Sequence, residues 1–98
     1  MASLEQQFKA KYRRLSEDKK DEYDEIFFTR IEPAIEEMYG GYHPKGLKAE
    51  QKKQRFDNYF YMYFLVHPEK TELDEREDQP LFYEAERYAE QIPIKKKV

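Results

Sequence analysis

The chain has 98 residues, 40% of them charged and 16% aromatic, with a formal charge of -3, no Cys and no Trp. That length accommodates one small domain and excludes a separate cofactor domain, while the lack of cysteine excludes a disulfide framework and any thiolate metal site. Seven Phe and nine Tyr argue against a disordered chain, because they supply the buried area needed to offset a backbone ordering cost of roughly 1 to 2 kcal/mol per residue.

Glycine is scarce, and apolar residues recur at three- and four-residue steps, which predicts helices rather than a hairpin-rich sheet. Ser3 followed by Gln6 has the spacing of a capping box, and Leu4, Phe8, Tyr12 and Leu15 then form one stripe, so a first helix is expected over residues 4 to 15. Ser16 with Glu17 and Asp18 marks the next helix start, where a cap and acids suit the positive end of the helix dipole. Tyr23, Phe27, Ile31, Ala34, Ile35 and Met38 carry that second helix to Gly40 and Gly41. Pro33 lies inside it and cannot donate to the carbonyl of Thr29, so a kink or short break is expected near Thr29 to Glu32.

GGYHPKG over residues 40 to 46 reads as a loop, followed by a third helix over 47 to 66 that stops before Pro68. Its second half, YFYMYFLV, is apolar on every side, as expected for a helix at the centre of a fold. The alternation there also suits a strand, but a lone strand would have no partner in this chain, and helix is preferred. A linker with a one-turn helix after Thr71, supported by Asp74, leads to a last helix with Pro80 in its first turn. Leu81, Ala85, Tyr88, Ala89 and Ile92 give that helix its stripe, and Pro93 ends it before the tail PIKKKV. The expected fold is all-α: a small irregular antiparallel bundle of three to four helices with a Pro-kinked second helix, one domain over residues 1 to 92 and a flexible basic tail over 93 to 98.

Catalytic chemistry is sparse, with two Ser, two Thr and two His in the whole chain. His43 falls in a loop and His67 at a helix end, neither in the E-x-x-H or H-E-x-x-H spacing that places two metal ligands on one helical face. Carboxylates four apart, such as Asp18 with Glu22 and Glu32 with Glu36, read as a solvated face rather than an acid–base pair. Neither an enzyme, a cofactor nor a metal site is expected. MASLEQQFKAKYRR lacks the apolar core of a secretory signal, and the longest apolar run falls well short of the roughly 20 residues that span a bilayer. A cytoplasmic protein without membrane association is the expectation.

Charge is arranged in blocks of alternating sign: +3 over residues 1 to 20, -6 over 21 to 37, +4 over 45 to 55, -4 over 69 to 78, -2 over 84 to 90 and +3 over 95 to 97. Pairing between neighbouring helices is the simplest account, each exposed pair contributing about 0 to 1 kcal/mol. A second account uses Lys48, Lys52 and Arg55, whose stripe continues into Tyr59, as a surface that neutralises phosphates and stacks on unpaired bases. The acidic face of residues 21 to 37 could instead imitate nucleic acid and inhibit a protein that binds it. The preferred function is non-catalytic: a small regulatory protein that occludes or bridges a protein partner, with Tyr61, Met62 and Leu65 as apolar anchors on a side of the third helix that short neighbours leave open. Self-association as a homodimer is the commonest form of such an interface.

Overall fold

Two serines start the first two helices. Ser3 Oγ accepts from the Gln6 amide at 3.2 Å while the Ser3 amide donates to Gln6 Oε1 at 3.1 Å, completing the capping box of α1 (Leu4–Arg14). Ser16 Oγ accepts from the Lys19 amide at 3.2 Å and opens α2 (Glu17–Ile26). These elements come from a computed structural model, which describes residues 3–39 and 42–91.

The second helix does not break at its proline. It continues through a π-helical turn (Phe27–Ile31) into α3 (Glu32–Tyr39). In that turn the Glu32 amide donates five residues back, to the Phe27 carbonyl, and Thr29 Oγ1 donates to the Glu25 carbonyl at 2.6 Å. Widening the coil by one residue just ahead of Pro33 absorbs the mismatch caused by the missing amide, so the chain needs no break. Phe27, Ile31 and Ile35 remain an inward stripe, all buried.

Gly46 and Lys48 both adopt positive φ, 88° and 65°, and this left-handed entry delays α4 to Ala49–Val66, two residues later than the sequence pattern suggests. Residues 59 to 66 are helical throughout. The linker turns first over residues 67 to 70, where the Lys70 amide donates to the His67 carbonyl at 3.0 Å, and again from Asp74 rather than Thr71: Asp74 Oδ1 accepts from the Arg76 and Glu77 amides at 2.9 Å each. Asp78, buried at 6% exposure, braces this turn by pairing with Lys70 at 2.6 Å and accepting from the Asp74 amide. Pro80 then sits in the first turn of α5 (Gln79–Glu90). Ile92, Pro93 and the basic tail, like Gly40 and Gly41, lie outside the described residues.

All of the regular structure among the described residues is helical, and α4 is its axis. Phe56, Phe60 and Phe64 pack with Phe27, Ile31 and Ile35 on one side and with Leu81, Ala85 and Ala89 on the other. The small alanines of α5 let it approach α4 closely, and Phe56 meets Phe82 edge-on with centroids 5.3 Å apart. Lys53 to Glu36 and Tyr61 to Tyr23 show α2–α3 running antiparallel to α4, as Lys52 to Glu90 and Phe56 to Phe82 do for α5. The irregular member is α1, which rises in step with α4: Leu4 lies beside Met62, Phe8 beside Tyr61, and Lys11 Nζ donates to the Val66 carbonyl at 2.8 Å. That ammonium serves the negative end of the α4 dipole and one of its unbonded carbonyls.

Phe60 is fully buried at the centre of this arrangement. Phe60→Ala should lower stability by about 3 to 5 kcal/mol, read as a large fall in the midpoint of denaturant unfolding.

Candidate functional site

The sequence pattern places three anchors on an open side of α4, and the structure corrects one of them. Met62 is 2% exposed, closed in beside Leu4 and Tyr88, and offers nothing to a partner. Tyr61 is the hub of an internal aromatic cluster, with centroids 5.0 Å from Tyr23, 5.1 Å from Phe27 and 5.7 Å from Phe8. Its hydroxyl donates to Asp24 Oδ1, while the Tyr23 hydroxyl donates to the Tyr61 carbonyl. Burial first, and then the Asp24 hydrogen bond and charge, push the Tyr61 hydroxyl far above the ordinary tyrosine range; burial and Asp24 do the same to Tyr23. The side expected to be open is therefore covered in part by α1 and α2. Tyr61 and Leu65 are both half-buried, Tyr61 in the wall of one cleft beside α4 and Leu65 in the wall of another.

The basic stripe is spent on α5. Lys52 Nζ pairs with Glu90 at 2.9 Å, and the Arg55 guanidinium donates twice to the Tyr88 carbonyl, at 3.3 and 3.2 Å, while lying 4.0 Å from the centroid of the Tyr88 ring. Arg55 thus satisfies a carbonyl near the end of α5 and stacks on the side chain of the same residue. Tyr59 is half-buried between Tyr63 and Tyr88, and Lys48 is exposed at the helix entry. The four residues do not form one open surface. Arg55→Ala should cost about 1.5 to 3 kcal/mol, whereas Lys48→Ala should stay within about 0.5 kcal/mol, both measurable by chemical denaturation.

Exposed apolar side chains instead gather at the π turn. Ile26 is 44% exposed and Phe28 is 51% exposed, although both belong to the apolar pattern of the second helix. Each stands at a cleft between this helix and α4. On the Ile26 side, a groove of about 270 Å³ is bounded by Tyr23, Phe64, Leu65 and Pro68, with Arg30 and Lys70 at its edges. On the Phe28 side, a cleft of about 200 Å³ has aromatic walls from Phe27, Phe28 and Tyr61 and polar walls from Glu32, Asp57, Gln54 and Asn58. Sequence periodicity could not locate this site, because it assigns Ile26 and Phe28 to a widened apolar face. The available signal was Pro33 acting on the preceding turn.

The acidic side of the second cleft is poorly compensated. Lys53 Nζ lies 3.1 Å from Glu36 Oε1 and 3.5 Å from Asp57 Oδ1, yet Asp57 Oδ1 is buried without a hydrogen-bond donor among the described residues. Glu32 makes no ion pair with any described residue. Burial raises the Asp57 carboxyl above its ordinary range, the Lys53 charge lowers it and the Glu36 charge raises it; the net direction is up. Glu32 is raised as well, by burial and then by the charges of Asp57 and Glu36, against Lys53.

A carboxyl raised on folding makes the folded state bind its proton more readily than the unfolded chain. Its cost to stability is fully present above the folded-state value and disappears as pH falls below the unfolded one. Asp57→Asn should accordingly raise the thermal midpoint at pH 7, with the difference from the parent protein vanishing under acid conditions where Asp57 is protonated.

Among the described residues no cluster of His, Asp and Glu is placed to hold a metal ion, and no helix is long and apolar enough to cross a membrane. His43 is exposed in its loop, and His67 lies at the end of α4, its ring 4.5 Å from that of Tyr63 and its Nδ1 3.5 Å from Glu69. The fold and its clefts define a small all-α bundle with an exposed apolar turn. Compared with known proteins, the chain has no significant match to a family model, a curated protein or a solved structure.

Proposed function

We propose that this is a non-catalytic interaction protein that occludes or bridges a protein partner, and that its binding surface is the π turn with the two clefts beside it. The observation that supports this reading is the pair Ile26 and Phe28: two large apolar side chains left in water on either flank of one turn, each bordering a concavity. Apolar anchors beside pockets, ringed by charge, are the usual composition of the energetic centre of a protein interface. Helical π turns recur at functional sites because they displace side chains from the regular helical face. A cytoplasmic place of action belongs to the same reading, in keeping with a chain that uses no cysteine.

The partner surface implied is one with apolar groups for the turn and basic groups for the acidic side. A second copy of the chain meets part of that description, since α1 carries Lys9, Arg13 and Arg14. Sedimentation at several concentrations tests that arrangement directly. The general test begins with affinity capture from the native cell, followed by titration of the purified partner. Ile26→Asp and Phe28→Asp should each weaken binding at least tenfold, about 1.4 kcal/mol, while Lys52→Glu leaves it unchanged. Binding indifferent to both π-turn variants overturns the proposal. Salt-sensitive oligonucleotide binding abolished by Lys52→Glu would move the function to the basic stripe.

A further inference from the structure

The cleft beside Phe28 has a chemistry more specific than a general apolar contact. Three aromatic rings, Phe27, Phe28 and Tyr61, form its walls, with Phe28 and Tyr61 edge-on at 6.2 Å and Phe27 and Tyr61 tilted at 5.1 Å. Facing them are two carboxylates, Glu32 and Asp57, and two side-chain amides, Gln54 and Asn58. Around this site stand four carboxylates, Asp24, Glu32, Glu36 and Asp57, and among the described residues the ammonium of Lys53 is the cation paired with any of them. Aromatic faces and carboxylates share one preferred ligand, a cation: the ring quadrupole attracts it, and the carboxylate supplies charge and hydrogen-bond acceptors.

Size narrows the class. Pockets for drug-sized ligands run from roughly 300 to 1,000 Å³, and this cleft of about 200 Å³ is suited to a single side chain. Shape narrows it further. A planar guanidinium can stack on an aromatic wall and present several N–H groups to carboxylates and amide oxygens together, which an ammonium cannot do with the same geometry. The protein already uses this pairing once, where Arg55 stacks on Tyr88 at 4.0 Å while donating to an oxygen.

We propose that the cleft formed by Phe28, Tyr61, Glu32 and Asp57 is the specificity pocket of the interaction surface and receives an arginine side chain of the partner protein. This rests on the reading of the π turn as an interaction surface and adds the chemistry of its occupant. The guanidinium lies against Phe28 and donates to Glu32, which has no cation of its own among the described residues, and to Asp57, which shares Lys53 with Glu36. Glu32 and Asp57 are both raised first by burial, and then Glu32 by the charges of Asp57 and Glu36 and Asp57 by that of Glu36; a second cation in the cleft relieves that repulsion as a proton does. Ile26 and its groove, on the other flank of the turn, then take an apolar neighbour of that arginine in the partner chain.

The test uses a blocked pentapeptide with a central arginine and the same peptide with citrulline, which keeps the shape and removes the charge. Each is titrated into the full-length protein while backbone amide and aromatic resonances are followed by NMR. The arginine peptide should give saturable shifts confined to Phe28, Glu32, Asn58 and Tyr61 and weakened by salt, with citrulline at least tenfold weaker. Glu32→Gln, a conservative change on the helix surface, should reduce arginine binding at least fivefold without altering the unfolding midpoint by more than a few degrees. Equal response to arginine and citrulline, shifts located elsewhere, or binding unaffected by Glu32→Gln overturns the proposal. The two readings separate on the purified partner: binding lost with Ile26→Asp but untouched by Glu32→Gln removes the arginine pocket and leaves the interaction surface standing.

Discussion

Eighteen residues of α4 carry aromatic and aliphatic side chains in every direction over their second half, and no orientation of a single neighbour could take all of them out of water. The rest of the chain is arranged around that requirement. The Phe56, Phe60 and Phe64 stripe is covered by the inward side of the second helix and by α5, where alanines permit close approach. Tyr61 and Met62, on other sides of the same helix, demand a further cover, and α1 and α2 provide it through Leu4, Phe8 and Tyr23. Polar groups follow the same logic: the Tyr61 and Tyr23 hydroxyls find Asp24 and a helix carbonyl, so that burying their rings leaves no unpaired group behind.

Closing α4 on so many sides has a cost in the second helix. Its apolar stripe must stay inward past a proline whose amide is missing, and the π turn reconciles the two by adding a residue to one coil. Ile26, the last residue of α2, and Phe28, inside the π turn, lie on either side of the buried Phe27 and are the large apolar side chains that the helix leaves in water. The candidate site is in this sense a by-product of the core. Its charge has a separate origin in the acidic block of residues 21 to 37, which finds a cation in Lys53 for Glu36 but none among the described residues for Glu32.

Much of this was legible in the residues. The capping box of α1, the serine cap of α2, the inward stripes, the proline at the start of α5 and the central position of the aromatic helix all follow from local patterns that tertiary packing did not overrule. Met62 was misread because apolar surplus says how much surface must be covered and not by which element; α1 rises in step with α4 and covers the side that a purely antiparallel arrangement leaves open. Lys52 and Arg55 follow the simpler of their two accounts, contact with a neighbouring helix, which the sequence alone could not separate from the other. A basic stripe has the same appearance whether it awaits phosphate or closes the end of a neighbouring helix, and only the position of α5 decides. Of the site, Tyr61 and Leu65, which line its two clefts, were legible, whereas Ile26 and Phe28 were not, since a proline predicts a disturbed turn without saying which side chains stay exposed beside it.

The claim on which the account stands is that the flank of the second helix, and not the basic face of α4 and α5, meets the partner. Amide hydrogen exchange on the full chain, with and without the captured partner, addresses it most directly. The account predicts added protection confined to residues 24 to 32 and 54 to 61. Protection centred on residues 48 to 52 and 84 to 91, with the π turn exchanging as it does in the free protein, would contradict it.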